Sequence, residues 1–305
     1  MRKDKDRYED LSRYDTSGIV MNKRRPGVIV GGIFRHVFIA LLALFWLIPI
    51  IWLLLNSLGI EQGVNINHFI PEKFTLMNYK NILFNPDSAT DFPKWFMNTF
   101  IIAICTCIIS SMFVLMVSYA MSCMRFKGRK ALMNLGMIMG MFPGILSMIA
   151  VYFVLKSVGL TNNHFGLILV YSGSSGLGYL IAKGYFDTIP RTLNEAAKIE
   201  GASEAVVFWK VVLPLSRPII VYTVINSFLA PWMDFVMAKI ILNSGIASTW
   251  TVSIGLYNML QKTLINTHFA LFCAGGVLVS IPISVLFIIM QKFYVESITG
   301  GAVKG

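Results

Sequence analysis

Charge is scarce in this sequence. Of its 305 residues only 13% are Asp, Glu, Lys or Arg, while 56% are hydrophobic. A water-soluble domain of this length carries about twice that share of charge and needs it to cover its surface. A soluble enzyme is therefore excluded, and the hydrophobic excess equally excludes a disordered chain. Four cysteines in so long a chain exclude a disulfide scaffold. Cys105, Cys107, Cys123 and Cys273 lie in or beside apolar runs and read as small packing residues. The Cys105–Cys107 pair has no second Cys or His cluster nearby, so no metal site is expected. The four histidines sit at helix ends or in connections, none paired at metal-ligand spacing. A phosphate-binding Walker sequence and a nucleophile–base pair are both missing, so no catalytic residue is assigned. Any active transport by this chain must draw its energy from another subunit or from an ion gradient.

What the sequence has in abundance is long apolar runs. A helix needs about 20 mainly apolar residues to cross the hydrocarbon core of a bilayer. Six stretches qualify: Val37–Leu58, Phe96–Met121, Leu132–Val154, Phe165–Ala182, Ile219–Leu242 and Phe269–Phe293. The expected fold is an all-α integral membrane protein with six transmembrane helices. The first run lies behind a long charged tail and lacks a small-residue cleavage site, so it reads as a retained span. Lys and Arg set the orientation. Nine lie in the tail Met1–His36, four between runs two and three, five between runs four and five, and two at the end of run six and beyond it (Lys292 and Lys304); the opposite side receives five. Both termini are therefore expected to be cytoplasmic. The expected organisation is a basic tail (1–36), helix one (37–58), an external loop (59–95), a core (96–293) containing a cytoplasmic loop (183–217), and a short tail (294–305). The N-terminal tail interleaves its cations with five acidic residues, so it reads as a topology signal near anionic lipid and not as a nucleic-acid arm.

Within the runs, Gly136, Gly140 and Gly144 repeat every four residues and are expected to share one face for close helix packing. Pro143 is expected to bend its helix, and Pro49, Pro231 and Pro282 to mark further bends or breaks. The stretch Ser172–Gly178 is glycine-rich but lacks the Lys-Ser/Thr of a phosphate loop; it reads as close packing or as a locally unwound segment. Asp234 and Lys239 are the charges inside a span. Intramembrane charges face a cavity or a partner. Asp234 is open between the solute path and a structural pairing, and Lys239 reads as snorkelling to the interface. Trp232 is a second candidate for the path, as a ring on which a flat cargo stacks, and reads equally as an ordinary interfacial tryptophan.

The loop between runs four and five is long enough to demand structure or a task. It contains Pro190, then Thr192 followed three residues later by Glu195, which predicts a capping box. Leu193, Ala196, Ala197 and Glu200 continue at helical spacing, and Gly201 suits the end of the helix. A short surface helix with small residues on one face is expected, shaped to fit a groove on a soluble partner.

In the same loop, Glu195-Ala196-Ala197, three residues, Gly201, nine residues, Val211, one residue and Leu213-Pro214 resemble the EAA signature of ATP-binding-cassette (ABC) importer permeases. Val211 stands where Ile is usual. The ending Gly300–Gly305 is similar to the tail of the smaller permease of maltose and maltodextrin importers. The resemblance covers the chain from about helix one to the C-terminus. It implies the type I ABC importer permease fold, in the cell membrane. Glu195, Ala196, Ala197 and Gly201, with Leu213 and Pro214 completing the signature, would couple to an ATPase subunit. Lys304 and Gly305 would make a second ATPase contact. The implied partners are a second, different permease (MalF-like), two copies of the ATPase, an external sugar-binding protein approached through the region 243–267, and the lipid bilayer, with no nucleic acid. No cofactor is expected on this chain; ATP and Mg would be used by the ATPase. The implied cargo is a sugar, an oligosaccharide such as maltodextrin. The alternative class, an ion-coupled secondary transporter or channel working without an ATPase, usually shows an inverted repeat or several mid-membrane charges, and neither is evident.

Overall fold

The computed structural model describes residues 26–60, 63, 69–85, 90–173 and 176–302. Helices follow one another as α1 (Pro26–Ser57), α2 (Met77–Phe84), α3 (Phe92–Cys123), α4 (Arg129–Gly140), α5 (Gly144–Ser157), α6 (His164–Gly173), α7 (Gly176–Phe186) and α8 (Arg191–Ile199). Then come α9 (Glu204–Leu215), α10 (Arg217–Met233), α11 (Val236–Ile241), α12 (Val252–Met259) and α13 (Ile265–Ala302). No strand forms among the described residues, and only Gly59 and Phe74 share an isolated antiparallel bridge. Contacts divide the chain into residues 1–52 and 53–305. In the first unit, the described side chains of α1 from Ile33 onward are mostly exposed and apolar.

Three helices are long and apolar enough to cross a membrane alone, over Ile33–Ser57, Phe92–Cys123 and Ile265–Phe293. Three bent pairs pass the same test together: α4 with α5, α6 with α7, and α9 with α10. The α4–α5 break turns the chain by 105° just before Pro143, where the sequence predicts a bend. That break separates Gly140 from Gly144, so the three glycines do not share one helix face as expected. Gly136 alone makes a close approach: a Cβ there would fall 1.8 Å from the Tyr179 hydroxyl of α7. Pro49 and Pro282 lie inside unbroken helices, so of the expected bends or breaks neither is a break. Neighbouring groups readily re-satisfy the one carbonyl that a proline leaves free in an apolar helix. Around Ser174 and Ser175, which lie outside the described residues, α6 and α7 differ in direction by 42°.

The core of the second unit is built on α3. Its sequence has no glycine, and its one proline stands in the first turn, where a missing N–H costs nothing. Its 32 residues give a length of about 48 Å. Buried positions recur every three or four residues, from Phe92, Trp95 and Thr99 to Ser118, Tyr119 and Ser122. Many are Thr or Ser, small enough to let neighbours come close and able to hydrogen-bond across helices. Ser227 of α10 donates to Ser110 at 3.2 Å, and Ser118 donates to the Tyr179 carbonyl of α7 at 2.9 Å.

Two apolar clusters form along α3. One gathers Trp95, Ile102, Phe228, Trp232, Ile241 and Ile254 near its start. The other gathers Val114, Tyr119, Phe186, Val207, Phe208 and Val212 near its end. The connection between α11 and α12 is tied to the start of α3: Trp95 Nε1 donates to the Ala247 carbonyl at 2.8 Å, and Asn98 Nδ2 to those of Ser248 and Trp250. The external-loop region contributes α2, whose Asn78 Nδ2 donates to the Ser57 and Gly59 carbonyls.

Candidate functional site

The loop that the sequence singles out folds as two helical pieces, α8 and α9, against the end of α3. The start of α8 differs from expectation. Pro190 is the N-cap residue, extended at φ −57° and ψ 124°, with no side-chain cap. Its carbonyl takes the Leu193 N–H at 3.2 Å. Thr192 therefore lies inside the helix, and Glu195, which caps nothing, is exposed. The capping box fails because the proline, whose φ is fixed for helix entry, starts the helix before Thr192 can.

The end of α8 is as predicted. Gly201 adopts φ +86°, its N–H reaches the Lys198 carbonyl at 3.0 Å, and the Ala202 N–H reaches that of Ala197 at 2.9 Å. This is a Schellman closure, which calls for a residue free to turn left-handed. Ser203 then caps α9 by accepting the Val206 N–H at 3.4 Å. A π-turn over Val207–Val212 leads into Leu213 and Pro214. Leu213 packs against the cluster at the end of α3, while Pro214 is exposed.

The faces of α8 divide cleanly. Ala197 packs toward the cluster and Asn194 is buried. Glu195, Ala196, Gly201 and Glu200 are exposed, together with Leu193 and with Ile199, which is 87% exposed. The exposed side thus carries an apolar strip, Leu193, Ala196 and Ile199 at intervals of three, among the charged residues Arg191, Glu195, Lys198 and Glu200. Ile199 belongs to it although sequence periodicity did not include it; a strongly apolar residue just before the terminating glycine was the available signal.

Two carboxylates bracket α8, and both were missed from sequence. Asp187, just before it, accepts from Ser122 Oγ of α3 at 2.6 Å and from Lys183 Nζ at 2.5 Å. Glu204, just after it, accepts from the Tyr119 hydroxyl of α3 at 2.7 Å and from Lys198 Nζ at 2.5 Å. Partial burial works against the charge on Asp187, but the hydrogen bonds from Lys183 and Ser122 prevail and hold its carboxyl below the usual carboxylate range. A cavity of about 350 Å³ opens beside α8, lined in part by Arg125, Arg129, Asp187, Arg191, Asn194 and Glu204.

The two candidate path residues lie elsewhere, near the break after α10. Trp232 is buried among Phe96, Phe100 and Phe228, so other rings occupy its surroundings. Asp234 has its carboxylate engaged by the Tyr171 hydroxyl at 2.7 Å and by the Met237 and Ala238 N–H groups. Its own carbonyl accepts from Ser253 Oγ at 2.7 Å. Lys239 places its ammonium 5.2 Å from the centre of the Trp250 ring, a cation–π distance. Lys304 and Gly305 lie outside the described residues. No group of three His, Cys, Asp or Glu among the described residues could hold a metal ion.

A membrane-spanning helical core with an exposed helix–turn carrying the EAA spacing defines a transport permease. Residues 115–300 match the family of binding-protein-dependent transport system inner membrane components, and the chain belongs to that family. It is a multi-pass membrane protein, related to permeases of ABC sugar importers. A galactooligosaccharides transport system permease protein of Bacillus subtilis is 33% identical over 90% of this chain and 95% of that protein. A maltodextrin transport system permease protein of the same organism is 29% identical over 88% of this chain and 95% of its own length. The fold matches a bacterial ABC transporter involved in the import of the acidic polysaccharide alginate. The TM-score is 0.72 at 22% identity, over 88% of this chain and 98% of that one.

Proposed function

We propose that this chain is one of two permease subunits of an ATP-driven importer in the cell membrane, and that it forms half of the path for an oligosaccharide such as a maltodextrin. It spans the membrane six times with both termini in the cytoplasm, α4 with α5 and α6 with α7 each counting as one span and α10 crossing after the cytoplasmic loop. The reading is carried by α8: a helix closed by a left-handed glycine and anchored on its inner face, whose exposed side carries an apolar strip of Leu193, Ala196 and Ile199 among charged residues. That face is the docking element for an ATPase subunit. ATP-driven closure of the two ATPase subunits would push on α8, and the spans would exchange an inward-open for an outward-open arrangement. An external binding protein would deliver the sugar, with the 243–267 region as its contact. Lys304 and Gly305 would add a second ATPase contact. The permeases named for galactooligosaccharides and maltodextrin among the relatives support an oligosaccharide cargo.

The test is Gly201→Asp, assayed in proteoliposomes with the partner subunits and with radiolabelled maltotetraose and galactotetraose. A charge placed at the end of the docking face is expected to leave insertion intact and to abolish both uptake and sugar-stimulated ATP hydrolysis. Normal uptake by this variant would remove α8 from the docking role.

A further inference from the structure

Resting on the docking role of α8, we propose that α3 is the span that receives the motion, through two carboxylate straps that hold α8 at both ends. Asp187 and Glu204 flank α8 in sequence and share one design. One oxygen of each pairs with a lysine close in sequence, Lys183 in the last turn of α7 or Lys198 on α8; the other takes a hydroxyl from α3, Ser122 or Tyr119. Tyr119 and Ser122 are three residues apart, hence neighbours on one face of α3, and both are buried. Between the straps and just beyond them, the residues around α8 rest on the same end of α3: Ile189 and Ala197, with Phe186 and Val207 on either side, pack in one cluster with Val114, Leu115 and Tyr119.

This arrangement has a mechanical consequence. A segment held at one point can pivot, whereas a segment held at both ends moves as a body and carries its anchor with it. The lysines orient each carboxylate from α7 and from α8 itself, so the hydroxyls are the elements that cross to α3. Charge-assisted hydrogen bonds of this kind are the stronger class. Ser118, one residue before Tyr119, bonds the Tyr179 carbonyl of α7 at 2.9 Å, so the displaced end of α3 also bears on the neighbouring span. Tyr119 and Ser122 are positioning residues, since neither lies on the docking face.

The experiment removes only the crossing hydroxyls. Tyr119→Phe, Ser122→Ala and the double variant are purified with the partner permease and ATPase and reconstituted. The ratio of ATP hydrolysed to sugar imported is then measured with maltotetraose and galactotetraose. Each single loss is expected to raise that ratio about three- to tenfold, the double variant more, with the ATPase still bound and active. Ser122→Thr keeps a hydroxyl and is expected to restore the wild-type ratio. An unchanged ratio in the double variant would overturn the proposal. So would loss of the ATPase from the purified complex, because the straps would then serve docking instead of transmission. Gly201→Asp in parallel separates this from the underlying reading: if it imports sugar normally, the docking role itself fails.

Discussion

At Asp234 a single carboxylate inside the membrane domain meets three donors, the Tyr171 hydroxyl and the N–H groups of Met237 and Ala238. It caps the short helix α11 and fastens it to α6. Loss of a hydrogen-bonded charged group costs about 1.5–3 kcal/mol, so Asp234→Ala is expected to lower the melting temperature of the detergent-solubilised protein. Tyr171→Phe is expected to do the same less strongly, and the double variant less than additively. Full additivity would show that the two side chains do not act together. Steric argument governs Gly255. A Cβ there would sit 2.0 Å from Cε3 of the fully buried Trp95, so Gly255→Ala is expected to destabilise by about 1–3 kcal/mol. Gly184→Ala, with nothing within 4 Å, is the control and is expected not to destabilise. For Asp187 the sign follows from its lowered carboxyl: its contribution is present above the ordinary carboxylate pKa and is lost as pH falls through the lowered folded value. Acid melting curves of Asp187→Asn are therefore expected to converge on those of the parent at the lowest pH and to separate near neutrality; a constant gap across the range would contradict this.

Among the elements, those whose signal is local were legible. The apolar runs marked the three long apolar helices, Pro143 marked the sharpest turn, and Gly201 marked the end of α8. Other features depend on contacts that sequence spacing does not contain. Thr192 and Glu195 have the pattern of a capping box, yet Pro190 starts the helix first. The glycine repeat from Gly136 to Gly144 reads as one face only while the helix is continuous, and it breaks between Gly140 and Gly144. The EAA residues stood out by their resemblance to a family signature, while the straps at Asp187 and Glu204 had no such mark. Their partners Ser122 and Tyr119 lie 65 and 85 residues away, with nothing in the run of residues to pair them. At α8 the left-handed turn can be tested apart from docking. Gly201→Ala adds no charge but forces a side chain into φ +86°, at a cost of about 1–2 kcal/mol. It is expected to reduce uptake partially where Gly201→Asp abolishes it. Equal uptake by the two variants would mean that charge is not what blocks docking.

For the whole molecule, the two clusters along α3 place the loop that carries α8 at one end and the connection before α12 at the other. The composition, with 13% charged residues, fits a chain whose outer surface meets lipid and other subunits more than water. Described residues of α1 from Ile33 to Ile51 expose large apolar side chains, as a lipid- or subunit-facing helix requires. The central claim, that this is one permease of a multi-subunit ATP-driven importer, is tested most directly by purifying the tagged chain in mild detergent and identifying what accompanies it by mass spectrometry. An ATPase and a second, different permease are predicted in the complex. Recovery of the chain alone, still moving sugar into liposomes without ATP, would contradict the account.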